Sequence, residues 1–204
     1  MIAIIDYGVG NLFSLCCSLK YIGCDAGITG DAATIKKSGK IILPGVGAFA
    51  DAAEKLQSSG FGEIVVREAR QGKPLLGVCL GMQLLFEKSF EFGEHDGLGL
   101  LGGTVAPIKP LIPDGFKIPH IGWNALQFPD GGRSPLFRYI SEGAYVYFVH
   151  SYHAENCPDS VIATTEYGAV LTAAVGRGNI YGTQFHPEKS GEAGLNILRA
   201  FAEL

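Results

Sequence analysis

Gly77-Val78-Cys79-Leu80-Gly81 is the part of this chain that most narrows what it can fold into. Before it, Pro74-Leu75-Leu76-Gly77-Val78 is a short apolar run suited to a strand buried on both faces. After it, Leu80 to Glu87 has helix-forming content. A buried strand running straight into a helix belongs to a parallel sheet covered by helices. Glycines two residues before and after Cys79 have the spacing of a nucleophile elbow, a corner so tight that side chains flanking the nucleophile would collide.

The rest of the first half fits that frame. Ile2 to Asp6 reads as a strand and Asn11 to Ile22 as a helix. Lys40 to Leu43 reads as a second buried strand, closed by Pro44-Gly45-Val46-Gly47. Ala48 to Leu56 and Phe61 to Gln71 carry helical periodicity. The second half changes to short strands: Thr104 to Ile108, Ala144 to His150, Val161 to Glu166, Ala169 to Val175 and Asn179 to Phe185, several joined as hairpins, before a closing helix at Ala193 to Glu203. The expected fold is a three-layer α/β sandwich, with a mainly parallel twisted sheet, helices on both faces and an antiparallel extension. One domain over 1–204 is expected, since 47% hydrophobic content suffices for one sizeable core.

Composition removes several classes of function. A net charge of −4 with no Lys/Arg cluster argues against nucleic acid. No apolar stretch approaches the roughly 20 residues that cross a bilayer, and the apolar start at Ile2 reads as a strand, not a signal peptide. Five cysteines without a CxxC pair suggest neither a disulfide framework nor a zinc knuckle, so a reducing cytoplasm is expected. Gly97-Leu-Gly99-Leu-Leu-Gly102 matches a dinucleotide fingerprint formally, but Pro107 and Pro110 follow where a helix would be needed. Neither a metal nor an organic cofactor is expected.

A thiol nucleophile needs a base, and the base needs an orienting group. "GTQFHPEKS", Gly182 to Ser190, supplies both. His186 and Glu188 lie two apart around Pro187, so in extended chain they point the same way, and Glu188 can hold the His186 imidazole toward a common target. Carboxyl ends of strands in a parallel sheet form the ligand crevice. The loops expected there are Tyr7 to Gly10, Pro44 to Gly47, the Cys79 corner, His150-Ser151-Tyr152 and the His186 segment.

"GVCLGMQ" and "FHPEKS" resemble the class I (triad) glutamine amidotransferases, and the similarity runs through essentially the whole chain. The resemblance is tighter to one branch of that family, in which the glutaminase forms a heterodimer with a (β/α)8 barrel, HisF-like cyclase of histidine biosynthesis. "IDYGVGNLFS", "LPGVGAF", "PHIGWN", "YFVHSYH" and "QFHPEKS" carry that closer likeness, in this order along the chain. It implies Cys79 as nucleophile, His186 as base and acid, and Glu188 as orienter. It implies a glutamine pocket from Gly45, Val46, Gly47, Leu80, Gln83, His150, Ser151 and Tyr152, with the Leu80 amide and an amide of the Pro44 to Gly47 loop as oxyanion hole. Tyr7, Gly10, Asn11, Trp123 and Lys189 become candidates for the partner interface. With 204 residues taken up by the glutaminase unit, a barrel of about 250 residues must be a separate protein. The competing expectations are a glutaminase subunit for another synthase, such as anthranilate synthase, a free-standing thiol hydrolase, and a non-catalytic protein that keeps the fold.

Overall fold

The computed structural model describes residues 1–129 and 133–204. The strands are β1 (Ile2–Ile5), β2 (Ala26–Thr29), β3 (Lys40–Gly45), β4 (Leu75–Cys79), β5 (Lys88–Ser89), β6 (His95–Asp96), β7 (Thr104–Pro107), β8 (His120–Ala125), β9 (Tyr145–His150), β10 (Tyr152–Glu155), β11 (Val161–Glu166), β12 (Val170–Arg177) and β13 (Ile180–Thr183). The helices are α1 (Leu12–Tyr21), α2 (Ala32–Lys37), α3 (Phe49–Ser58), α4 (Phe61–Arg70), α5 (Leu80–Gln83) and α6 (Gly191–Ala202). Seven strands form the main sheet in the order β11-β12-β13-β4-β3-β1-β2. From β13 to β2 every pairing is parallel, and β11 and β12 extend the sheet antiparallel.

Side chains alternate between the two faces along each central strand. Ile2 and Ile4 of β1, Ile42 of β3, and Leu76 and Val78 of β4 pack with Leu15 and Leu19 of α1 and Ile197, Leu198 and Phe201 of α6. Ile5, Ile41, Leu43 and Leu75 turn the other way, onto Ile35 of α2, Phe49 and Leu56 of α3, and Val65 of α4. Helices therefore cover both faces, as the uninterrupted apolar runs require. A four-stranded sheet, β10-β7-β5-β6, and the hairpin β8-β9 lie outside the main sheet.

Besides the short strands β5, β6 and β10, three features differ from the expectation. The helix after Cys79 is a single turn, ending at Gln83 instead of Glu87. Beyond it the amides of Leu85 and Phe86 bond the carbonyls of Met82 and Gln83, three residues back. The carbonyls of Leu84, Leu85 and Phe86, which a helix ending at Glu87 would leave without partners, accept from the amides of Leu98, Leu100 and Gly99. Gly97 to Gly102 thus serves to close that turn. The second difference is that β2 and α2 fill the stretch between α1 and β3. The third is that "HIGWNA" is a strand, β8, paired along its length with β9.

Candidate functional site

Cys79 ends β4 and holds φ +54°, a conformation an L-residue adopts only when its surroundings enforce it. The flanking glycines explain the enforcement. A Cβ on Gly81 would stand 1.9 Å from the Leu43 carbonyl oxygen, and one on Gly77 would stand 2.6 Å from the Gly81 oxygen. Gly45, at the end of β3, is equally constrained: its Cβ would meet the Gly81 amide nitrogen at 2.7 Å. The elbow and the end of β3 are pressed backbone to backbone, and that contact aims the Cys79 side chain outward from the carboxyl edge of the sheet.

Beside it, β13 delivers His186 just past its end. His186 Nδ1 and Glu188 Oε1 are 2.9 Å apart, with both side chains all but sealed from solvent. Glu188 Oε2 has no partner among the described residues, so the carboxylate is committed to His186. Burial alone would lower the His186 pKa. Hydrogen bonding to Cys79 and Glu188, together with their negative charge, outweighs it and lifts the imidazole to about 9. The Ser190 hydroxyl donates to the His186 carbonyl and accepts from the Tyr147 amide, anchoring the segment to β9.

Cys79 and His186 open into a cavity of about 470 Å³, lined also by Val46, Gly47, Leu80, Gln83, Glu91, Phe92, Pro119, Val149, His150, Ser151 and Tyr152. A larger cavity of about 720 Å³, between α3 and α4, has an acidic rim of Glu54, Glu63, Glu94 and Asp96 and touches none of the three chemical residues. Reactive groups, not volume, mark the smaller one as the candidate site.

The structure brings Val46, Gly47, Leu80, Gln83, His150, Ser151 and Tyr152 to one cavity, with Gly45 immediately behind it. Both ring nitrogens of His150 are engaged, Nδ1 2.8 Å from the Tyr152 carbonyl and Nε2 2.9 Å from His120 Nδ1. It therefore lines the wall without a free polar atom. Gln83 spends its side-chain N–H groups inward, on the Tyr152 carbonyl at 3.2 Å and on Gln184 Oε1 at 2.9 Å, and so presents its own oxygen as an acceptor.

Of the expected interface residues, Trp123 is half exposed and Lys189 exposed. Both lean on Tyr147, with Lys189 Nζ 5.8 Å from its ring centre and the Trp123 ring 6.1 Å away. Gly10 and Asn11 are partly buried at the entry to α1. Tyr7 is buried, and its hydroxyl donates to the Pro44 carbonyl at 2.7 Å, so it braces the Pro44 to Gly47 loop from below.

Sequence reasoning overlooked Gln184, Glu91 and Phe92. Gln184, fully buried, turns its Nε2 toward Cys79 Sγ at 3.7 Å. Glu91 places a half-buried carboxylate in the wall and accepts from the Phe49 amide at 2.6 Å. Burial raises its pKa, against that hydrogen bond. Phe92, at φ +54°, sets its ring edge-on to Tyr152 at the rim. "QFHPE" contained the one available cue, a polar side chain inside an apolar strand end.

An α/β sheet with a cysteine on a strained corner and a buried His–Glu pair beside it defines a protein of the triad amidotransferase type. Comparison with known proteins agrees. The "Glutamine amidotransferase class-I" family matches residues 3–203. A protein from Caldanaerobacter subterraneus subsp. tengcongensis named "Imidazole glycerol phosphate synthase subunit HisH" is 51% identical over all of this chain and 98% of its own length. Its namesake from Wolinella succinogenes is 47% identical over the full length of both. Among solved structures, a glutamine amidotransferase superposes with a TM-score of 0.76 at 18% identity, covering all of both chains. PurLQS from Thermotoga maritima does so with 0.74 at 20%, over 99% of this chain and 97% of that one. These structures share the fold. The chain belongs to the class-I glutamine amidotransferases and, within them, to the family of HisH subunits of imidazole glycerol phosphate synthase.

Proposed function

We propose that this chain is the glutaminase subunit of an imidazole glycerol phosphate synthase. It hydrolyses glutamine to glutamate and ammonia and hands the ammonia to a separate (β/α)8 barrel cyclase, its partner in a cytoplasmic heterodimer. The observation that carries the reading is the strained Cys79 corner facing the His186–Glu188 pair, in a chain whose relatives named HisH match it end to end.

In this mechanism the thiol proton of Cys79 already rests on His186 Nε2, as the raised imidazole pKa requires, and Cys79 Sγ attacks the γ-carboxamide carbon as the thiolate. Glu188 keeps Nδ1 protonated, so that Nε2 is the atom available for transfer. The tetrahedral oxyanion takes hydrogen bonds from the Leu80 amide, which heads α5 and has no acceptor within it, and from an amide of the Pro44 to Gly47 loop. His186 returns its proton to the leaving nitrogen, the C–N bond breaks, and ammonia departs from a glutamyl thioester. Water, deprotonated by His186, then opens the thioester to glutamate and the free thiol.

The Gln83 oxygen and the Glu91 carboxylate, both acceptors, suit the α-ammonium of glutamine. Gly47 sits at φ +93° beside exposed Val46, so the loop can present or withdraw an amide at low steric cost. Trp123 and Lys189 are assigned to the interface around the ammonia exit. The cyclase would use the ammonia to form imidazole glycerol phosphate and aminoimidazole carboxamide ribotide.

The test is glutamate release from glutamine by the purified chain, alone and with the cyclase and its ribonucleotide, with Cys79→Ala as blank. Turnover that is low alone, rises by orders of magnitude in the complex and vanishes in the blank is the expected result. High turnover alone would favour a free-standing hydrolase, and none with the cyclase would favour another synthase.

A further inference from the structure

His120 and His150 form a buried pair with more hydrogen-bond contacts than protons to serve them. Three contacts run in line: Asn124 Oδ1 to His120 Nε2 at 2.9 Å, His120 Nδ1 to His150 Nε2 at 2.9 Å, and His150 Nδ1 to the Tyr152 carbonyl oxygen at 2.8 Å. Both ends are acceptors. Tyr152 offers a backbone carbonyl, and Asn124 is fixed in orientation because its Nδ2 donates to the Glu166 carbonyl at 2.9 Å. The His120 ring is held in plane between Phe148 and Tyr167.

Each contact needs one N–H between its atoms, so the line needs three protons, whereas two neutral imidazoles bring two. Burial holds both rings below their ordinary pKa, His150 at about 3. The titratable groups that bear on His150, namely His120, His153 and His186, are all bases and lower it further. A third proton is therefore not retained at neutral pH. The two protons can be placed three ways; one leaves two unprotonated nitrogens facing each other at 2.9 Å, and the other two keep the bond between the rings. In one of these two, each ring carries its proton on Nε2, so that His120 grips Asn124 and the Tyr152 carbonyl is left to Gln83 alone. In the other, each carries it on Nδ1, so that His150 grips Tyr152 and Asn124 is released.

We propose that the His120–His150 pair is a positioning device for the Tyr152 carbonyl, exchanging its hold on Asn124 of the β8-β9 hairpin for a hold on the wall of the cavity. The same carbonyl accepts from Gln83, so its position sets the direction of the Gln83 oxygen in the site. The hairpin strand that bears Asn124 also bears Trp123, and what is done to that strand reaches the cavity through this pair. Only the consequence for glutamine rests on the glutaminase reading.

The test uses the full chain labelled with 15N-histidine, whose ring nitrogens report their protonation at pH 7. The two rings are expected to share a tautomer, both Nε2–H or both Nδ1–H. Asn124→Asp, a stronger acceptor, should drive both to Nε2–H, and Asn124→Leu, no acceptor, should drive both to Nδ1–H. In the complex with the cyclase, KM for glutamine should differ between these two variants by about tenfold, the worth of one lost hydrogen bond, with kcat moving less. His120 as Nε2–H beside His150 as Nδ1–H, a third proton on the pair at pH 7, or tautomers indifferent to both substitutions would each overturn the proposal. Tautomers that move while KM stays fixed would overturn the positioning role. A wild-type complex without turnover would count against the glutaminase reading, and the tautomer measurement would still decide the inference.

Discussion

The side-chain amide of Gln184 joins Gln83 to Cys79: its Oε1 accepts from Gln83 Nε2 at 2.9 Å, and its Nε2 is directed at Cys79 Sγ, 3.7 Å away. A fully buried amide is retained only if its polar atoms are paired. Here the pairing ties Cys79, the proposed nucleophile, to Gln83 of the candidate substrate cavity. When the thiol proton passes to His186, the Gln184 N–H stays aimed at the sulfur and stabilises the charge left there. Gln184→Met keeps the volume and removes both bonds. It should slow alkylation of Cys79 by iodoacetamide, and lower kcat, by roughly tenfold or more, the worth of a hydrogen bond to a charged group. A thermal melt checks that the core has survived. An unchanged alkylation rate in a folded variant would remove Gln184 from any part in the chemistry.

What the sequence disclosed and what it withheld follow from the range of the interactions involved. The Cys79 corner was legible because its determinants, Gly77 and Gly81, are local and have one steric reason each. His186 and Glu188 were legible because Pro187 fixes the chain between them. The end of α5 was not, since Leu84 and Leu85 are good helix formers, and the amides from 98–100 that cap the turn come from well beyond any local window. Strand β8 was missed because Gly122 interrupts its alternation, and the pairing with β9 supplies what local preference lacks. β2 and α2 are short, four and six residues, with little periodicity to detect. Glu91 and Gln184 became site residues only once the fold had set the loop after β5 and the end of β13 around Cys79.

The steric argument at the elbow makes a sharp comparison of two glycines. Gly81→Ala would press a methyl against the Leu43 carbonyl, backbone that has nowhere to move within a buried sheet. It should cost at least about 3 kcal/mol, or prevent folding altogether. Gly102→Ala meets no atom within 4 Å and should stay within about 0.5 kcal/mol of the parent. Denaturant melts of the two measure the difference directly. Equal stabilities would mean that the corner is looser than its contacts imply.

Exposed Trp123 and Lys189 sit over partly buried Tyr147 in an aromatic and cationic cluster, on the side of β9 that carries the His186 segment, whose amide bonds the Tyr147 carbonyl. If this is the face that meets the cyclase, Lys189→Ala and Trp123→Ala should lower glutamine turnover stimulated by the cyclase about tenfold while glutamine hydrolysis by the chain alone changes little. Stability should shift by no more than about 0.5 kcal/mol, as at other surface positions. Parallel assays of the chain alone and of the complex decide the matter. Equal loss in both would place these residues in the support of His186, not in an interface.

The pH dependence should identify the His186 proton. The imidazole is lifted to about 9 despite burial, because hydrogen bonding to Cys79 and Glu188 and their negative charge favour its protonated form. A base whose folded pKa lies above its unfolded value of about 6.5 stabilises the folded chain fully below 6.5 and loses that contribution as pH rises through about 9. In the proposed mechanism catalysis has the same upper limit, because ammonia must leave with a proton that His186 still holds. The alkaline limb of kcat/KM should therefore fall near 9. Glu188→Gln keeps the shape of the orienting group and removes its charge, so the limb should move down toward 6.5, with a loss in kcat on the order of a thousandfold or more as the tautomer is no longer enforced. A limb that moved upward in Glu188→Gln, or did not move, would mean that the charge of Glu188 is not what holds the proton on His186.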